Sequence, residues 1–197
     1  MHAPVVVKVG GSLIDVVPAI VAEITGSAER VLLVPGGGPF ADMVRSFGIA
    51  DDETAHWMAI AAMEQYGWYI AAHGIAATDR AVVPQSPTVL LPYRLMRDRD
   101  PLPHSWNVTS DTIAAYVAGE LGTELLLLKS VDGCTRGGRM LERIEEPVAC
   151  SEVDPMLIGY VLDRRIRTTV LNGRRPGMLA TYLGGGPCGG TVIEPQS

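Results

Sequence analysis

The chain has 197 residues, 47% of them hydrophobic and 19% charged, with a net charge of -6. This length and apolar content support a folded domain with a sizeable core and exclude a disordered chain. The acidic balance argues against a nucleic-acid partner, which would require a basic face. Cys134, Cys150 and Cys188 show no CxxC spacing, so neither a disulfide framework nor a zinc site is indicated. No apolar run reaches the roughly 20 residues that span a bilayer. The expectation is a reduced, cytoplasmic protein without a secretory leader or membrane partner.

In chain order, strand and helix signals alternate. Residues 5–9 read Val-Val-Val-Lys-Val, the pattern of a buried parallel strand, and lead into Gly10-Gly11-Ser12. Residues 13–24 are apolar at helical spacing, with Pro18 as a break or kink. A second strand over 31–34 ends in Pro35-Gly36-Gly37-Gly38-Pro39, and a short helix over 40–47 is stopped by Gly48. The longest helix is expected over 51–78. Its apolar width suggests either a subunit interface or a central helix covered on both sides.

A strand over 88–91 closes at Pro92, and the charged, proline-bearing stretch 97–103 reads as a loop. A helix over 111–121 and a fully buried strand over 124–128 follow, then a long loop over 130–139 of the kind that often serves function. A helix over 155–163, a strand over 168–171, a turn at Asn172-Gly173, a helix over 178–183 and a strand over 191–193 complete the pattern. Such alternation predicts an α/β fold with a mainly parallel sheet, as one domain over 1–197.

The two strand-to-glycine junctions carry the functional argument. Glycine leaves backbone N–H groups open to an anion. Two such loops near the N-terminus predict two phosphate-bearing groups held close together, as a kinase requires. Lys8 either neutralises phosphate during transfer or is an edge lysine reaching water along its stem. Asp111 follows Thr109-Ser110 at a helix start, where a carboxylate suits the helix dipole; alternatively it fixes Lys8 and Lys129 for phosphoryl transfer. Thr109 is the expected N-cap.

Lys129 closes the leucine strand at its carboxyl end, where open α/β sheets bind ligands. Ser130-Val131-Asp132-Gly133 then turns the chain, as a nucleotide loop or as a plain turn. His56 and His73 read as core or interface residues, and His104 as a pocket residue near Trp106. No HExxH or carboxylate cluster suggests a resident metal, so Mg²⁺ is expected to arrive with nucleotide. Neither GxxxxGK(S/T) nor GxGxxG occurs, which sets aside the P-loop and ranks a Rossmann oxidoreductase low.

Five motifs resemble, in order, those of the amino acid kinase superfamily: Lys8-Val9-Gly10-Gly11-Ser12, Pro35-Gly36-Gly37-Gly38, Thr109-Ser110-Asp111, Leu128-Lys129-Ser130-Val131-Asp132-Gly133 and Gly190-Thr191-Val192-Ile193. Within it the chain is most similar to the small kinases of methanofuran biosynthesis, which phosphorylate [5-(aminomethyl)furan-3-yl]methyl phosphate to its diphosphate. Segments 55–60, 106–111 and 127–133 carry that likeness. The resemblance implies an open αβα sandwich, with ATP over the carboxyl end of the sheet and the acceptor, a small phosphate monoester, at the second glycine loop.

It also implies site residues. Lys8, Asp111 and Lys129 would be catalytic. Gly10, Gly11, Ser12, Lys129, Ser130, Asp132 and Gly133 would bind ATP, and Gly36, Gly37, Gly38 and Thr109 the acceptor. Lys129 stands where many relatives have threonine or serine. The first loop departs from the Lys-x-Ser-Gly-Glu of uridylate kinases, which disfavours uridylate. Trp106, Tyr93 and Phe40 are expected against a furan ring, Asp42 against its aminomethyl cation, and the protein is expected to be a homo-oligomer. The alternatives are a kinase of isopentenyl phosphate or of a carboxylate, and a non-catalytic storage protein of the same fold that binds nucleotide or oxyanion.

Overall fold

The structure, a computed structural model, describes residues 4–26 and 30–196. Its strands are β1 (Val5–Val9), β2 (Val31–Pro35), β3 (Ala76–Thr78), β4 (Thr88–Leu90), β5 (Glu124–Lys129), β6 (Thr135–Arg136), β7 (Arg139–Met140), β8 (Arg143–Ile144), β9 (Thr168–Asn172) and β10 (Thr191–Ile193). Eight form one sheet in the order β3-β4-β2-β1-β5-β9-β10-β8, while β6 and β7 make a separate ribbon. Within the large sheet every pairing is parallel except β9 with β10. The helices are α1 (Val17–Gly26), α2 (Gly38–Ser46), α3 (Asp52–Ala71), α4 (Pro92–Arg99), α5 (Ser110–Leu121), α6 (Leu157–Asp163) and α7 (Met178–Leu183). Helices cover both faces, so the fold is the predicted αβα sandwich. Among the described residues no helix is long and apolar enough to cross a membrane.

Side chains alternate across a strand, and this alternation places the two lysines. Val5, Val7, Val9, Leu126 and Leu128 pack with Ile20 and Val21 of α1 and Leu179 and Leu183 of α7. Val6, Leu125 and Leu127 pack on the other side, with Ile113 and Val117 of α5 and Leu157 and Val161 of α6. Lys8 and Lys129 share the parity of that second face. Both therefore lie beneath α5.

Several elements differ from expectation. Residues Gly11–Val16 form a 3-10 helix before α1. Pro18 sits in the first turn of α1, where its missing N–H breaks no helical bond. The helix expected over 51–78 ends at Ala71, because Gly74 adopts φ +97 and turns the chain into edge strand β3. His73 consequently lies exposed beyond the helix. Residues Arg97–Arg99, read as loop, finish α4: Pro92 opens that helix and Asp100, at φ 42, terminates it. The long loop over 130–139 contains the β6–β7 ribbon. Helix α3 is capped by Asp51, which accepts from Thr54 N at 2.8 Å. It joins both cores, through Ile60 and Met63 on one side and Tyr66 and Ile70 on the other.

Candidate active site

Lys8 and Asp111 are 4% and 1% exposed, a burial that neither charge would tolerate alone. Lys8 Nζ stands 2.8 Å from Asp111 Oδ1, as a buried ion pair. Lys129 donates to Asp111 Oδ2 at 2.5 Å. Burial pushes the Asp111 carboxyl up, but the Lys8 and Lys129 ammonium groups outweigh it and hold the pKa below the usual carboxylate range. Burial lowers the Lys8 pKa below that of an ordinary lysine, with Asp111 opposing and Lys129 adding to the fall. The structure thus brings together one buried anion and two cations at the carboxyl ends of adjacent strands β1 and β5.

The two glycine loops touch backbone to backbone. A Cβ on Gly11 would lie 2.3 Å from Gly38 N, and one on Gly36 would lie 2.7 Å from Gly11 N. Gly37 and Gly38 start α2, which has no side-chain cap, so its N-terminal amides face outward at the positive end of a helix dipole. Thr109 caps α5, accepting weakly from Asp111 N at 3.4 Å. Gly11, Ser12, Gly37, Gly38, Thr109 and Ser110 line one shallow cleft where both loops meet the start of α5. Ser12 bonds Ser130 at 3.1 Å, which joins the first glycine loop to the loop after β5. Gly10 and Gly36, expected to offer their N–H groups to phosphate, lie beneath this surface and donate them to Leu128 O at 3.0 Å and Val9 O at 2.8 Å.

Asp132 is held by Asn172 Nδ2 at 2.8 Å and Arg175 at 2.7 Å, so β9 fixes the Ser130–Gly133 turn. Gly133 is required by packing: a Cβ there would meet Thr191 Oγ1 at 2.6 Å. Arg174, absent from the sequence argument, clamps Asp15 at 2.8 and 2.9 Å and donates to Ser12 O at 2.7 Å. A second residue that sequence reasoning missed is Asp154. It is 6% exposed and accepts from Thr109 N (2.9 Å), Thr109 Oγ1 (3.0 Å), Thr112 N (3.0 Å), Thr112 Oγ1 (2.6 Å) and Leu157 N (2.9 Å). One carboxylate therefore ties the starts of α5 and α6 together, and its own N–H donates to Asp111 Oδ2 at 3.2 Å.

Beside the cleft a deeper cavity opens between α2, α3 and the start of α5, lined by Gly37, Arg45, Asp52, His56, Trp106 and Thr109 among others. The two share Gly37, Ala41, Arg45, Thr109 and Ser110, so the cavity leads onto the cleft. Trp106 lines it as expected; Phe40 and Tyr93 do not. Phe40 packs against both the α1-side core and Ala41, and Tyr93 meets the Trp57 ring edge-on at 6.4 Å. Asp42 is paired with Arg45 at 2.7 Å. His56 is buried against the cavity, and His104 stacks behind it at 4.4 Å while bonding Asp100 at 2.7 Å.

Among the described residues no three His, Cys, Asp or Glu side chains converge on a metal site. Asp111, the carboxylate at the centre, already faces two lysines, so this donor set does not fit a resident Mg²⁺.

No family model matches the chain. It is 30% identical to the [5-(aminomethyl)furan-3-yl]methyl phosphate kinase of Methanocaldococcus jannaschii over 200 residues, 91% of this chain and 93% of that protein. Its fold is similar to that of isopentenyl phosphate kinase, with a TM-score of 0.67 and 17% identity over 97% of this chain and 100% of that one. Uridylate kinase from Archaeoglobus fulgidus gives 0.70 and 18% over 96% and 99% of the two chains. UMP kinase from Ureaplasma parvum gives 0.75 and 16% over 98% and 99%.

Proposed function

Because the chain belongs to the amino acid kinase family and is a kinase, we propose that it uses ATP to convert a small phosphate monoester into its diphosphate. The acceptor is [5-(aminomethyl)furan-3-yl]methyl phosphate, the compound named for the relative at 30% identity. One observation carries this reading: the main-chain contact between Gly11 and Gly38, beside the Lys8–Asp111–Lys129 group. Two anion-binding loops abut there, so two phosphates bound to them would meet end to end.

The chemistry follows from charge. An oxygen of the acceptor phosphate attacks the γ-phosphorus of ATP, the bond from that phosphorus to the β,γ-bridging oxygen breaks, and ADP leaves with the electron pair. The nucleophile is already anionic, so no general base is needed. Asp111 is unsuited to that part, with a depressed pKa and both oxygens facing lysines. The obstacle is repulsion between the two phosphates, and Lys8, Lys129 and the loop amides oppose it in a fixed geometry.

Asp111 serves by holding the two ammonium groups apart and aimed, and Asp154 holds Asp111. Gly11, Ser12 and the Ser130–Gly133 turn take the nucleotide side; Gly37, Gly38 and Thr109 take the acceptor phosphate. Mg²⁺ belongs to the nucleotide in this scheme, carried on ATP with most of its waters.

The test is an acceptor panel with purified protein and ATP, following ADP release and product mass. The furan monophosphate should be turned over fastest, giving its diphosphate. Rapid turnover of isopentenyl phosphate or UMP with none of the furan would end the acceptor assignment.

A further inference from the structure

The wall that α3 gives to the cavity is graded. Asp52, His56, Ala59, Ile60 and Met63 all line it, at the spacing of a single helical face. The apolar end lies towards the glycine loops, because Tyr66, one turn further on, donates to Gly10 O at 3.2 Å. From Met63 back to Asp52 the helix rises about 16 Å.

The charges at the far end do not cancel. Arg45 is the other ion lining this cavity, but its guanidinium is paired with Asp42 at 2.7 Å and lies 5.0 Å from the centre of the Trp106 ring. Asp42 is thereby occupied as well. Asp51 is spent as the cap of α3. Asp52 has no ion-pair or hydrogen-bond partner among the described residues, and its carboxylate is the single acidic group lining the cavity. His56 is the next residue along the stripe. Burial and the neighbouring His104 lower its pKa, which leaves it neutral near pH 7 with a ring nitrogen able to accept.

We propose that Asp52, with His56 one turn deeper, is the specificity-determining end of the acceptor cavity and selects phosphate monoesters that carry a primary ammonium opposite the phosphate. This rests on the acceptor reading above and adds the residue that enforces it. Asp52 replaces Asp42 as the partner of the cation, because Asp52 lines the cavity whereas Asp42 lines only the neighbouring cleft, in an exposed pair with Arg45.

The experiment compares kcat/KM for the aminomethyl furan phosphate and for its hydroxymethyl isostere, in the wild type, Asp52→Asn and Asp52→Glu. Wild type should prefer the amine by about tenfold or more, the size expected of a charge-assisted hydrogen bond. Asp52→Asn should collapse that ratio towards one, mainly through KM for the amine, and Asp52→Glu should restore much of it. An unchanged ratio in Asp52→Asn overturns the proposal, as does equal loss on both compounds. If wild type uses both furans at the same high rate, the acceptor reading stands and the role of Asp52 falls. If it uses neither, both fall.

Discussion

Gly11→Ala tests the contact on which the proposed transfer depends. The new Cβ would lie 2.3 Å from Gly38 N and 2.5 Å from Gly38 Cα, whereas ordinary contact begins at 3.4 Å. Both obstructing atoms are main chain and cannot rotate away, so the loops must part by about 1 Å. A misplacement of that size between reacting groups costs on the order of 10²-fold in rate, or about 2.7 kcal/mol of activation free energy. Steady-state ADP release should therefore show kcat down by about 100-fold, with smaller changes in KM for either substrate. Gly159→Ala is the control. It lies within α6 with nothing inside 4 Å, and should gain about 0.5–1 kcal/mol of stability without loss of turnover. A folded Gly11→Ala protein with kcat within about threefold of wild type would refute the idea that the loop contact sets the transfer distance.

Lys8→Met should lower kcat by about 10²–10³ while leaving ATP affinity less affected, measured by single turnover and nucleotide titration. An unchanged rate would remove Lys8 from catalysis. In the proposed role the ammonium form of Lys8 is the active one, and burial lowers its pKa from 10.5. The alkaline limb of kcat/KM should accordingly fall as pH rises through a value below 10.5; a profile flat to that pH would contradict the assignment. Asp154→Ala leaves the buried amides of Thr109, Thr112 and Leu157 without their acceptor. The loss should be about 3 kcal/mol, a fall of ~6–12 °C in Tm for a chain of this size, and a melting shift under about 2 °C would show that water replaces the carboxylate.

Much of the architecture was legible because local signals and burial agree. β1, β2 and β5 are continuous apolar runs, and the structure buries them completely except at the ends of β5. Lys8 stood out because it interrupts such a run, and the parity that puts Val6 against α5 puts Lys8 there too. Helix α4 was hidden by its charges: Arg94, Arg97, Asp98 and Arg99 lie on its solvent side or at its end, so the stretch looked like a loop although Pro92 is well placed to start a helix. Asp154 was hidden differently. It lies 43 residues beyond Asp111 in a polar segment with no periodicity, and only the fold brings it beneath the starts of α5 and α6. Arg174 was equally silent, since its partner Asp15 is 159 positions away. The cavity residues on α3 lie within its broad apolar span, which read as core or interface; only the gap left above them by α2 and the start of α5 marks them out.

The junction between Gly11 and Gly38 is made of peptide groups alone, so any side chain added at Gly11 meets main chain that cannot rotate away. In the proposed reaction the transfer gap is consequently closed to gradual adjustment, whereas Asp52, His56 and their neighbours can be exchanged singly at the remote end of the cavity.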